Sequence, residues 1–128
     1  MFLKDMKEIL IIAEDGFSRV CQVLLECEGY RPKSVSDAFA LPREWHDNKV
    51  GLVIVSYPLR DSFVNALKRK NAFVLILADH ISGDLIETLE ILPNSFCMLK
   101  PLDYLKFKGV VKKAMEGNCD DRRGYCIV

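Results

Sequence analysis

The run Gly51-Leu52-Val53-Ile54-Val55 has no polar break, and three of its five residues are β-branched. A strand with one face in water alternates apolar and polar residues. A short continuous run is instead buried on both faces, as in the middle of a parallel sheet. Ser56 closes the run, and Pro58, which has no N–H, cannot continue a central ladder. Ile9-Leu10-Ile11-Ile12-Ala13 and Ala72 to Ala78 repeat the pattern, and Ser95 to Leu99 gives a last strand. Arg31 to Val35 is a less apolar candidate.

Between these runs the period changes from continuous to helical. Phe17, Val20, Cys21, Leu24 and Cys27 recur at helical spacing, with Gly29 placed to end that helix. Ser36-Asp37 opens a second helix that Pro42 shortens, with Trp45 to Asn48 as its ragged end. Asp61 to Lys70 carries Phe63, Val64 and Leu67 on one face. Ser82-Gly83-Asp84 opens a helix bearing Leu85, Ile86, Leu89 and Leu92, which Pro93-Asn94 ends. The last helix runs from about Leu102 to Glu116 with Leu105, Val110, Val111 and Ala114 inward. Strand and helix alternate five times, the pattern of a doubly wound α/β domain. Residues 1–116 read as a single domain. Residues 117–128 read as a loose tail, with docking of its apolar end (Tyr125, Ile127, Val128) as the alternative.

Eighteen basic residues balance eighteen acidic ones, so no global field draws the chain to nucleic acid or to an anionic membrane. No apolar run approaches the roughly 20 residues of a membrane span, and charges interrupt the first eight residues where a secretion signal needs an apolar core. The five cysteines are odd in number, and none forms a C-x-x-C or pairs with His at zinc spacing. They read as reduced thiols in a cytoplasmic protein. His46 and His80 have no ligand partner at useful spacing.

In an open parallel sheet, sites gather at the carboxyl ends of the strands. Those ends supply Glu14 and Asp15, Ser56, Asp79, and Lys100-Pro101. The five-fold alternation, the length and the Lys-Pro after the last strand resemble the receiver domain of bacterial two-component response regulators, over about residues 7–116. The resemblance implies a flavodoxin-like (βα)5 fold with a five-stranded parallel sheet of order 2-1-3-4-5. It also implies a signalling role without enzymatic activity. In that family an aspartate ending the third strand accepts a phosphoryl group. Two acidic residues ending the first strand hold Mg²⁺. A Thr or Ser ends the fourth strand, and a Lys before a cis-proline pairs with the phosphate. An aromatic residue three positions before that Lys reports the change to a partner.

Carried over, Lys100 and Pro101 fit. Glu14 and Asp15 are approximate candidates for the metal: strand register puts Ala13 and Glu14 on the two metal positions, with Asp15 just after. The acceptor position falls on Ser56, the Thr/Ser position on Ala78 and the aromatic switch position on Cys97, with Phe96 displaced by one. A serine hydroxyl is a poor nucleophile without a base, so the resemblance implies a degenerate site that requires no cofactor, with a retained Mg²⁺ site at Glu14 and Asp15 as the alternative. Asp79 is the substitute carboxylate, and Lys100 a partner for Glu14 or Asp15 in place of phosphate. The simplest reading of Ser56 is a small polar residue bonded locally.

The leading expectation is a stand-alone signalling module that binds a protein partner through Ser82–Glu116, with Glu87, Glu90, Lys106, Lys108, Lys112 and Lys113 outward. The alternatives are a regulator phosphorylated on Asp15, Asp61 or Asp79, and a flavodoxin-like cofactor binder or enzyme. The loop Glu14 to Arg19 opposes the last of these, because two carboxylates repel an FMN phosphate. A Ser56→Asp replacement separates loss of one residue from loss of the whole pocket.

Overall fold

A computed structural model of the chain describes residues 8–13, 15–35, 50–70, 73–92, 94–116 and 125–128, with the backbone alone at residues 15 and 70. The strands are β1 (Glu8–Ile12), β2 (Pro32–Ser34), β3 (Val50–Ser56), β4 (Phe73–Ala78), β5 (Ser95–Leu99) and β6 (Tyr125–Ile127). The helices among the described residues are α1 (Asp15–Cys27), α2 (Asp61–Lys70), α3 (Gly83–Ile91) and α4 (Tyr104–Met115). The helix expected from Ser36 lies outside the described residues.

All neighbouring strands are parallel, in the order β2-β1-β3-β4-β5-β6. The expected five-stranded order is therefore extended by a sixth strand. The end of the expected loose tail supplies it: Tyr125, Cys126 and Ile127 pair with Ser95, Phe96 and Cys97. The amide of Val128 adds a bond to the Cys97 carbonyl at 2.8 Å.

The continuous apolar runs are the inner strands, and their alternation divides them between two cores. Leu52 and Ile54 join Ile9, Ile11, Leu75 and Leu77 under α1 and α4. Val53 and Val55 join Leu10, Val74 and Ile76 under α2 and α3. Each residue from Leu52 to Val55 is fully buried, and burial of such a side chain stabilises the fold by roughly 1.5–3 kcal/mol. No polar residue interrupts this run because neither face meets water.

The helices over these faces follow local sequence rules. α2 buries Phe63, Val64 and Leu67 as expected, and α3 buries Leu85 and Leu89. Ser82 caps α3, its side chain accepting from the Leu85 amide at 3.2 Å. At the other end of α3 the buried Ser95 hydroxyl donates to the carbonyls of Leu92 (3.0 Å) and Leu89 (3.3 Å). α1 ends in a Schellman turn: the Tyr30 amide reaches the Leu25 carbonyl, the Gly29 amide reaches that of Glu26, and Gly29 has φ +90°. Gly29→Ala is expected to destabilise the protein by about 1 kcal/mol, because a Cβ strains a left-handed residue. Urea titration of the two proteins measures this directly.

Two helix faces differ from expectation. On α1, Cys21 and Leu25 are buried, but Val20 is 49% exposed and Cys27 is exposed. The helix is turned because Ser18 points inward, its hydroxyl 2.9 Å from that of Ser34 on β2, which also donates to Gln22. On α4, Phe107 is buried with Val110, Val111 and Ala114, whereas Leu105 is 74% exposed. α4 is tied to the end of α1 by the Tyr104 hydroxyl, which donates to Glu28 at 2.6 Å, and by Lys108, 3.6 Å from the same carboxylate. The Tyr104 bond, with help from the Lys108 charge, holds the Glu28 carboxyl below its usual range, and the same bond pushes the Tyr104 phenol up.

Candidate functional site

The carboxyl ends of β3, β4 and β5 are held level by the backbone itself. Ser56 lies opposite Leu77, and the amide of the next residue, Tyr57, bonds the Leu77 carbonyl at 2.9 Å. On the other side the Lys100 amide bonds the Ala78 carbonyl at 2.8 Å. These bonds place Ser56, Ala78 and Lys100 side by side along one edge of the sheet. Both Tyr57–Pro58 and Lys100–Pro101 are cis peptides.

The register of β1 with β3 pairs Ile11 with Ile54 and Ile12 with Val55. Continued by one residue, it sets Ala13 level with Ser56 and on the same face, since side chains repeat every two residues. Ala13 is half-buried against the α1/α4 core. Glu14 lies outside the described residues, as does the side chain of Asp15. Ala78 is 1% exposed and belongs to the opposite core, facing α3 with Val55 and Leu85. Asp79 and His80 are exposed on the loop beyond it.

The ammonium group of Lys100 lies over the ring of Phe17, 4.7 Å from its centroid. Phe17 is in the first turn of α1, so this contact joins the end of β5 to the helix that follows β1. The sequence placed Phe17 in the helix's apolar stripe and gave no sign of it as a platform for the cation.

Cys97 points into the α2/α3 core with Ile76 and Ala78 and is fully buried. Burial pushes its thiol up from the usual value. The displaced aromatic, Phe96, faces the other way, into the α1/α4 core, where its ring stacks on Phe73 at 6.3 Å. It therefore does not occupy the position that Cys97 holds.

No family model matches the sequence, and no curated protein matches it. Solved structures do. The signal receiver domain of an HD domain-containing protein from Pseudomonas fluorescens Pf-5 superposes with a TM-score of 0.75 at 18% identity, over 88% of this chain and 96% of that one. The chemotaxis protein CheY4 of Vibrio cholerae gives a TM-score of 0.72 at 13% identity, over 85% and 98%. A response regulator receiver domain protein from Clostridium thermocellum gives 0.71 at 20% identity, over 87% and 95%.

The fold is a receiver fold. On it, the described strand ends present Ser56, Ala13 and Ala78, none of which carries a carboxylate. Among the described residues no three His, Cys, Asp or Glu side chains converge on a point where a metal ion would sit. The two acidic candidates for Mg²⁺, Glu14 and the side chain of Asp15, lie outside those residues. What this edge of the sheet does present is a cation, Lys100, held against an aromatic ring.

Proposed function

We propose that this chain is a receiver-like signal-transduction domain of the response-regulator type that acts by protein contact, without phosphorylation at the end of β3 and without a metal. It works in the bacterial cytoplasm and catalyses no reaction. The observation that carries this reading is Ser56. It occupies the end of the central strand, level with Ala13, where the resemblance puts the acceptor aspartate, and a serine hydroxyl is a poor nucleophile without a base. The small buried Cys97 supports the same reading, since a thiol under α3 has no ring to swing between two positions.

The partner surface is formed by α3 and α4 on either side of β5. α3 carries Asp84, Glu87 and Glu90 with no basic residue, and α4 carries Lys106, Lys108, Lys112 and Lys113 with no acidic one. The neutral total charge thus conceals two faces of opposite sign, which orient a partner more than they tighten its binding.

The test is to incubate the purified chain with a small-molecule phosphodonor and magnesium, then measure intact mass and trap acyl phosphate with borohydride. The expected result is an unchanged mass. A stoichiometric acid-labile adduct on Asp15, Asp61 or Asp79 overturns the reading.

A further inference from the structure

β6 ends the sheet, and no strand among the described residues pairs with its outer side. An edge of this kind offers a row of backbone donors and acceptors to another chain. Beside it lies a cleft of about 370 Å³ between β6 and α4, lined by Phe96, Val110, Ile127 and Gly109 and flanked by Lys106 and Lys113. Gly109 keeps that cleft open: a Cβ built there meets nothing within 4 Å, so a side chain would project into empty space. A glycine inside a helix weakens it, and here its effect is to leave room.

The geometry points to β6 as a docking edge for an extended segment of another protein, one that adds a strand to the sheet, seats an apolar side chain beside Gly109 and sets carboxylates against Lys106 and Lys113. The charge of the site selects this occupant. α4 has four lysines and no acidic residue, and Lys106 and Lys113 are the only charged side chains among the described residues that line the cleft. They lie seven residues apart, about 10 Å along the helix. Side chains at i and i+4 of a strand are about 13 Å apart and share one face, with i+2 between them. Two flexible lysines reach that spacing. An acidic-apolar-acidic alternation therefore satisfies edge and cleft together, as in other cases of strand addition. A second copy of this chain fits less well. Pairing two β6 edges around an axis normal to the sheet sets α4 beside α4, lysine against lysine. The inference stands independently of whether the end of β3 takes phosphate.

The probe is the capped peptide Glu-Thr-Val-Thr-Glu, titrated to millimolar concentration into the isotope-labelled full chain and followed by amide chemical shifts. Saturable shifts confined to residues 106–113 and 125–128 are expected. Gly109→Leu should weaken the peptide about tenfold or more while the melting temperature holds or rises, which separates a filled cleft from a damaged fold. Lys106→Glu with Lys113→Glu should abolish binding, and the Lys-Thr-Val-Thr-Lys peptide should not bind. Absence of shifts at millimolar peptide, equal binding of the basic peptide, or unchanged affinity of Gly109→Leu overturns the proposal. So does a concentration-dependent shift of the same amides without peptide, which would assign the edge to a second copy.

Discussion

Ser56→Asp alone is expected to stay unlabelled by a small-molecule phosphodonor, whereas the triple variant Ala13→Asp/Ser56→Asp/Ala78→Thr is expected to take up an acid-labile phosphoryl group approaching one per chain. The reasoning is positional. A carboxylate at residue 56 supplies a nucleophile, but Ala13, level with it on β1, contributes no charge to a neighbouring cation, and Ala78 contributes no hydroxyl to a phosphoryl oxygen. Restoring the nucleophile alone leaves the transferring group without those contacts, and each charge-assisted hydrogen bond is worth about 1.5–3 kcal/mol. Lys100 is already present. Its contact with Phe17 is worth roughly 0.5–2 kcal/mol, no more than the pairing a phosphate offers, so the ring does not prevent the lysine from engaging. Intact mass with hydroxylamine sensitivity distinguishes the three proteins. Full labelling of Ser56→Asp by itself would mean that one residue was lost and the pocket kept. An inert triple variant would mean that the lysine or the α1 turn is also out of place.

The strand ends that make up this site were readable from the chain because chain order alone brings them together. A continuous apolar run fixes where β3 stops, and a parallel sheet puts every such stop on one edge. Ser56, Ala78 and Lys100 follow from that. The contact between Lys100 and Phe17 does not, since it depends on how the first turn of α1 leans over β5, and a phenylalanine at helical spacing reads as core. Docking of the tail's apolar end was one of its two readings, but its pairing as a sixth strand was not legible, for a related reason. Tyr125, Cys126 and Ile127 make too short a run to show a period, and their partner is an edge that only the folded sheet provides. In α1 the signal was right in part. Phe17, Cys21 and Leu24 of the expected stripe pack on the core, but the inward face also contains Ser18, satisfied by Ser34, while the more apolar Val20 lies half in water, so hydropathy sets the face slightly off its true centre.

α4 gives the sharpest test of that lesson. Phe107→Ala is expected to destabilise the protein by about 3–5 kcal/mol, and Leu105→Ala by no more than about 0.5 kcal/mol. Successive helical residues are separated by about 100°, so 105 and 107 differ by about 200° and cannot both face the sheet. Val110, Val111 and Ala114 fall on the side of Phe107, and the exposures agree: 1% for Phe107 and 74% for Leu105. Hydropathy favours leucine at 105, but the period of its own neighbours rejects it. Removing the Phe107 ring opens a cavity in the core it shares with Leu52, Ile54 and Leu75, the core that holds α1 and α4 to the sheet. Against a typical total stability of roughly 5–15 kcal/mol, that loss takes a substantial part of the folded state's margin. Urea midpoints with unchanged slopes read both effects. A larger cost at Leu105 than at Phe107 would mean that α4 is rotated by half a turn, which would also carry Lys106, Gly109 and Lys113 away from β6.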